Sequence, residues 1–127
     1  MTDEAQDWLL VVDDDEDIRD TIRSLLELRG YRVSTAADGV EGLARMRAGE
    51  PPRLVILDLM MPGMNGEEFR AAQLRDVQLA AVPVIVLSGA GRLSEKPALA
   101  GTQVVAKPID LQELFAIVDR FCSPAPR

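Results

Sequence analysis

Acidic residues stand directly after apolar runs at two places in this chain. Asp13–Asp15 follow the run Trp8–Val12, and Asp58 follows the run Leu54–Leu57. If both runs are neighbouring parallel strands, these carboxylates meet at one edge of a sheet, where two unit charges about 4 Å apart repel by roughly 4 kcal/mol. Such a cluster persists only with a cation, or with a lysine that shares its charge. A metal ion bound through oxygen is therefore the first hypothesis, and Mg²⁺ suits so few carboxylates better than Ca²⁺ does.

Five short apolar runs alternate with amphipathic segments, and these elements must position the acids. We predict strands at Trp8–Val12, Tyr31–Ala36, Leu54–Leu57, Val82–Leu87 and Gln103–Ala106. The first helix follows Asp15, with apolar residues at helical spacing, and Gly30 ends it. Later helices begin at pairs with the spacing of a capping box, namely Asp38 with Glu41, Asn65 with Glu68 and Asp110 with Glu113.

This alternation predicts an α/β fold, a five-stranded doubly wound parallel sheet with helices on both faces. In such folds the ligand crevice lies at the carboxyl ends of the strands, where the strand order reverses. Asp13, Asp14, Asp58, Ser88 and Lys107 all fall at predicted strand ends. These five residues are therefore the candidate site, and Lys107 is the cation that balances the acids.

Composition limits what the chain can do. Its 127 residues fit one domain, which we place at 8–122, with an N-terminal extension at 1–7 and a C-terminal tail at 123–127. The formal net charge of −7 argues against direct binding of nucleic acid or of anionic membranes. The apolar runs are too short for membrane insertion. A single cysteine, Cys122, fits a reducing compartment, and we predict a cytoplasmic location.

Four motifs follow one another along the chain, namely VVDDDEDIR at Val11–Arg19, LVILDLMMPGMNG at Leu54–Gly66, VPVIVLSGA at Val82–Ala90 and VVAKPID at Val104–Asp110. Through these motifs the chain resembles the receiver domain of two-component response regulators, in the single-domain form typical of chemotaxis regulators. The resemblance implies a flavodoxin-like (βα)5 fold and a signalling protein rather than an enzyme acting on other substrates. It also implies a sensor histidine kinase or a histidine phosphotransfer protein as phosphoryl donor, and a downstream protein or phosphorelay as recipient of the signal.

The resemblance also implies roles for individual residues. Asp58 matches the aspartate that accepts the phosphoryl group. Asp13 and Asp14 match the acidic pair that binds Mg²⁺ together with Asp58 and the backbone carbonyl of Met60. A carboxylate is a suitable phosphoryl acceptor, and Mg²⁺ would offset the charge on the reacting oxygens.

Four further positions take their roles from the family. Ser88 matches the switch hydroxyl, and Lys107 matches the lysine that contacts the phosphoryl group. The bond between Lys107 and Pro108 is usually cis in the family. Met60 and Ala90 lie two residues beyond the acceptor and the switch hydroxyl, where neither side chain can orient an attacking water. We therefore expect slow loss of the phosphoryl group.

The chain departs from the family pattern in two places. Val104 stands where the family usually has a tyrosine or phenylalanine that swings inward on activation, so another element must report the signal. The segment 89–103 is shorter than usual and contains Pro97. We therefore predict a shortened helix between the fourth and fifth strands, and an atypical partner surface there.

Three other function classes share parts of this pattern. A phosphatase of the haloacid dehalogenase type also uses an aspartate after a parallel strand, but it needs a second acid where this chain has Met60. A flavin-binding module needs a phosphate loop after the first strand, and Asp13–Asp15 would repel a phosphate. A receiver used as a scaffold without phosphorylation is favoured only by Val104 and the shortened segment.

Overall fold

The computed structural model describes residues 8–89 and 101–122 of the chain. The predicted extension, the tail, Ala90 and most of the segment with the shortened helix lie outside the described residues. The elements in chain order are β1 (Trp8–Val12), α1 (Glu16–Leu28), β2 (Arg32–Ala36), α2 (Gly39–Arg47), β3 (Leu54–Asp58), α3 (Gly66–Leu74), β4 (Val84–Ser88), β5 (Gln103–Ala106) and α4 (Leu111–Phe121).

One parallel sheet holds all five strands in the order β2-β1-β3-β4-β5, as the sequence pattern predicts. The chain moves from β1 to one edge and then crosses back to β3, so the order reverses between β1 and β3. In register, Val12 pairs with Leu57, and Asp58 pairs with Leu87. The carboxyl ends of the three central strands therefore meet at one edge.

Both faces of the sheet are covered, which explains the continuous apolar runs. Successive strand residues alternate between two cores, since side chains of a strand point to opposite faces. Leu10 and Val12 pack with α2 and α3 through residues such as Met46 and Phe69. Leu9 and Val11 pack in the second core, whose helical residues include Ile22, Leu26, Leu114, Ile117 and Val118.

Side chains cap the helices at the predicted positions. Asp15 accepts hydrogen bonds from Asp17 N and Ile18 N and so begins α1. Asn65 and Glu68 form a complete capping box at α3. At the start of α4, Asp110 accepts hydrogen bonds from backbone amides of the first turn. These caps fix where each helix leaves the strand end that precedes it.

Local hydrogen bonds shift the first residue of two strands from the predicted positions. The prediction that β2 begins at Tyr31 is wrong by one residue, because the Tyr31 amide donates to Leu26 O at the end of α1. Strand β4 begins at Val84 and not at Val82, because the Val82 amide closes a turn onto Leu79 O.

The first predicted capping box is incomplete. Asp38 accepts from Glu41 N at 2.8 Å, as predicted, and so begins α2. The Glu41 carboxylate, however, accepts from Ala37 N at 2.8 Å and not from the amide of the cap residue itself. The helix start is unchanged, since the Asp38 side chain alone supplies the cap.

Candidate functional site

Four strands bring the predicted residues to one edge of the sheet. Asp13 directly follows β1, Asp58 ends β3, Ser88 ends β4, and Lys107 directly follows β5. Ser88 pairs with Ala106 in register, and the Lys107 amide donates to Ser88 O at 2.8 Å. The position of each side chain is thus set by the parallel ladder, which is why strand-end residues far apart in sequence become neighbours.

Three carboxylates converge at this edge. Asp13, Asp14 and Asp58 each offer one carboxylate oxygen, and these oxygens lie within 4.8 Å of one another. Asp13 and Asp58 are buried, whereas Asp14 is exposed. The predicted acidic cluster is therefore present, with one carboxylate open to solvent and two inside the protein.

Asp13 occupies the most unfavourable position for a charge. Its side chain is fully buried, with an exposed fraction of 0 %. Oδ1 accepts from Asp15 N at 2.9 Å, but within the described part of the chain Oδ2 accepts no hydrogen bond. Burial, together with the nearby charges of Asp58 and Asp14, raises the pKa of Asp13 from 3.8 to about 6, although the hydrogen bond from Asp15 and the charge of Lys107 oppose this rise.

Lys107 offsets part of the acidic charge. Its Nζ lies 2.9 Å from Asp58 Oδ1, while Met60 N donates to the same oxygen at 3.3 Å. Burial lowers the pKa of Lys107, but the hydrogen bond to Asp58 and the charges of Asp58, Asp13 and Asp14 outweigh it, so the net pKa is raised. Lys107 therefore stays an ammonium ion, whose single positive charge faces three carboxylates.

The donor set fits a divalent cation. A buried carboxylate oxygen without a hydrogen bond carries a desolvation cost that a cation would remove. All donors are hard oxygen atoms, which Mg²⁺ prefers over nitrogen and sulfur. The Asp14 carboxylate is exposed, so water and a phosphoryl oxygen could reach an ion held there. The chemistry of this site therefore fits Mg²⁺, with Asp13, Asp14 and Asp58 as the candidate ligands.

The structure describes four of the remaining predicted positions. Ser88 is buried at the end of β4, and the Lys107–Pro108 peptide bond is cis. Met60, whose backbone N donates to Asp58, has an exposed side chain, 68 % accessible. Val104 is 42 % exposed on β5, which is the sheet edge farthest from β2. Ala90 lies outside the described residues.

Two positioning features are absent from the sequence-based prediction. The Arg19 guanidinium donates from Nη1 to Asp13 O at 2.9 Å. Gly66 N donates to Leu59 O at 2.9 Å, and a Cβ on Gly66 would lie 2.8 Å from Leu59 Cα. Only glycine lets α3 approach the loop after β3 this closely. The sequence does contain a signal for each feature. Arg19 is a cation near the N-terminus of a helix, and Gly66 is a glycine at the first position of a helix.

The fold and the site define a parallel α/β protein with an acidic cluster and a lysine at the strand ends. A family model described as the response regulator receiver domain matches residues 9–119. The chain therefore belongs to the receiver domain family of two-component response regulators. Receiver domains are signalling proteins that take phosphoryl groups from histidine kinases and bind Mg²⁺ at a cluster of aspartates.

Solved structures share this fold over nearly their whole length. The chemotaxis protein CheY4 of Vibrio cholerae has 31 % identity and a TM-score of 0.82, covering 92 % of this chain and 99 % of that one. A response regulator receiver protein from Pseudomonas putida has 27 % identity and a TM-score of 0.82, with coverage of 91 % and 98 %. The flavodoxin-like topology predicted from the resemblance is thus confirmed.

Curated relatives extend beyond the matched region. Response regulator MprA of Mycobacterium ulcerans is 39 % identical over 111 residues, which cover 85 % of this chain and 47 % of the relative. The DNA-binding dual master transcriptional regulator RpaA of Synechocystis is 34 % identical over 113 residues, 87 % of this chain and 46 % of the relative. The chain spans about half the length of these relatives, so the DNA binding in the name of RpaA describes that protein. That this chain does not bind nucleic acid directly stays a prediction.

Within residues 8–89 and 101–122, the helices are all too short or too polar to span a bilayer.

Proposed function

We propose that the chain is a phosphorylation-dependent signalling module that accepts a phosphoryl group on Asp58. The observation that carries the proposal is the 2.9 Å contact between Lys107 Nζ and Asp58 Oδ1, beside the buried acid Asp13. The contact places the positive charge of Lys107 at Asp58, the carboxylate that the resemblance matches to the phosphoryl acceptor. The donor would be a sensor histidine kinase or a histidine phosphotransfer protein.

The transfer is a displacement at phosphorus. A carboxylate oxygen of Asp58 forms a bond to phosphorus while the bond to the donor histidine nitrogen breaks, and the electron pair of that bond returns to the imidazole ring. The product is an acyl phosphate on Asp58. Lys107, already within hydrogen-bond distance of the acceptor, would contact a phosphoryl oxygen, and the Ser88 hydroxyl would bind another. The chain thus promotes only its own phosphorylation and dephosphorylation.

Mg²⁺ would be held by Asp13, Asp14, Asp58 and the backbone carbonyl of Met60. When bound, it supplies positive charge that offsets the charge on the attacking and transferred oxygens. Asp13 Oδ2 accepts no hydrogen bond from residues 8–89 and 101–122, which supports this assignment, because a buried carboxylate oxygen gains most from a cation. Binding would also favour the ionised form of Asp13, whose pKa burial raises.

The acyl phosphate should be long-lived. Met60 lies two residues beyond the acceptor with its side chain exposed, and its thioether would not hold a water in line with phosphorus. Ala90, the second position implied by the family, is equally unable to do so. Hydrolysis would then depend on unassisted water.

The signal would be read without an inward-swinging aromatic ring. Val104 occupies the position of that ring and is partly exposed. Its side chain is too small to replace an aromatic ring that moves between an exposed and a buried position. We assign the readout to movement of Ser88 and the loop after it. The recipient is another protein, either a downstream target or the next member of a phosphorelay.

The single cysteine, Cys122, is buried and fits our assignment to the cytoplasm.

Intact-mass measurement with acetyl phosphate tests the proposal. Wild-type protein is incubated with and without Mg²⁺, beside Asp58→Asn, which keeps the shape of the acceptor but removes its nucleophilic charge. One phosphoryl adduct that requires Mg²⁺ and is lost in Asp58→Asn supports the proposal. An adduct that persists in Asp58→Asn refutes the acceptor assignment, and a folded protein that no histidine kinase or small donor can phosphorylate would be the scaffold of the alternative hypothesis.

A further inference from the structure

Arg19 lies at the wrong end of its helix for a positive charge. It is the fourth residue after Asp15, the N-cap of α1, and the first turn also holds Glu16 and Asp17. The positive end of the helix dipole favours acids there and disfavours cations. Arg19 is half-buried, and its Nη1 turns back to donate to Asp13 O at 2.9 Å. A specific contact therefore holds this side chain against its intrinsic preference.

That contact completes a fixed frame around Asp13. The Asp13 amide donates to Ala36 O at 3.1 Å, which extends the ladder between β1 and β2 by one residue. Asp13 Oδ1 accepts from Asp15 N, and Asp13 O accepts from Arg19. Backbone and side chain are thus held on three sides, and Asp13 Oδ2, which accepts no hydrogen bond from the described residues, is left for a ligand.

We propose that Arg19 is a positioning residue for the metal ligand Asp13. It acts through the Asp13 carbonyl, which sets the backbone orientation from which the buried carboxylate projects. Groups that hydrogen-bond to metal ligands typically change metal affinity by about 10–100-fold when removed. The inference rests on the proposed function, because it assumes that Mg²⁺ binds at Asp13, Asp14 and Asp58.

Charge and positioning have opposite consequences for Mg²⁺ binding. Arg19 is a permanent cation close to the acidic cluster, so its charge alone opposes the approach of a dication. If Arg19 acts only through charge, its removal tightens Mg²⁺ binding. If Arg19 holds Asp13 in place, its removal weakens Mg²⁺ binding despite the gain in electrostatic attraction. The sign of the change therefore separates the two roles.

Calorimetric titration of the full chain with Mg²⁺ alone makes this measurement. Arg19→Met keeps the apolar stem and removes the donors. Arg23→Met is the matched control, since Arg23 lies one turn further along α1 and pairs only loosely with Asp20, at 3.5 Å. We expect Arg19→Met to weaken Mg²⁺ binding by about tenfold, and Arg23→Met to leave it unchanged or slightly tighter.

The outcomes distinguish this inference from the proposed function. Tight wild-type binding with equal or tighter binding by Arg19→Met overturns the role of Arg19 and leaves the metal site intact. Absence of wild-type binding overturns both. Circular dichroism in EDTA confirms that each variant folds. If Arg19→Met does not fold, Arg19→Gln takes its place. We expect the same weakening of Mg²⁺ binding, because the glutamine side chain is too short to reach the Asp13 carbonyl and its amide stays solvated.

Discussion

The buried carboxyl of Asp13 should make the metal-free protein less stable at neutral pH than in mild acid. Its pKa is about 6 in the folded protein, against a usual value of 3.8, and burial is the largest cause. The folded state therefore holds a proton on Asp13 more tightly than the unfolded state does. The resulting stability is fully present below pH 3.8 and is lost as the pH rises through about 6. At about 1.4 kcal/mol per pH unit, the loss is about 2–3 kcal/mol.

Asp13→Asn removes this penalty, because an amide cannot ionise. The free energy of unfolding of Asp13→Asn relative to wild type should increase by about 2–3 kcal/mol between about pH 4 and about pH 7. Urea unfolding in EDTA, followed by circular dichroism, measures it, and the titration of acids far from Asp13 cancels in the difference. Asp14→Asn controls for the loss of one negative charge at an exposed site and should show a smaller change. A difference for Asp13→Asn that is constant with pH would refute the reasoning.

Three further substitutions test other parts of the site. Lys107→Met should destabilise the metal-free protein by about 1–3 kcal/mol, because it leaves buried carboxylates without their nearest cation, and saturating Mg²⁺ should restore part of that loss in thermal unfolding. Gly66→Ala should cost about 1–3 kcal/mol in urea unfolding, since its Cβ would lie 2.8 Å from Leu59 Cα, whereas Gly49→Ala, with no atom within 4 Å, should be nearly neutral. Met60→Asn should speed loss of the phosphoryl group about tenfold, the effect of one hydrogen bond to the attacking water; an unchanged decay rate, followed by intact mass, would contradict the lifetime assignment.

Most of the sheet, and the convergence of the predicted residues at one edge of it, follow from the sequence alone. The apolar runs that end at Asp13, Asp58, Ser88 and Lys107 indicate parallel strands, and parallel strands place their carboxyl ends together. The caps follow similarly, because a side chain such as Asn65 needs only its own helix to act.

Features that depend on contacts between distant segments do not follow. Asp13 and Asp14 are neighbours with the same chemistry, yet one is buried and the other exposed, because only the Asp13 amide continues the ladder to Ala36 O. Likewise, the Tyr31 amide donates to Leu26 O near the end of α1, so the strand β2 does not begin at Tyr31. Competition between local and long-range partners decides such details.

Arg19 shows what a closer interpretation of the sequence can still add. Its position in the first turns of an acid-rich helix breaks a simple electrostatic preference, and such exceptions often mark functional sites. The partner, the carbonyl of Asp13, becomes visible only when the β1–α1 loop is placed in three dimensions.

Chemical trapping of the acyl phosphate identifies the residue that carries the phosphoryl group. Protein phosphorylated in the presence of Mg²⁺ is treated with borohydride, which reduces an aspartyl phosphate to homoserine, and the altered residue is located by peptide mass spectrometry. We predict homoserine at position 58 alone. Reduction at Asp13 or Asp14, or a phosphorylated protein with position 58 unchanged, would contradict the assignment of Asp58 as the acceptor.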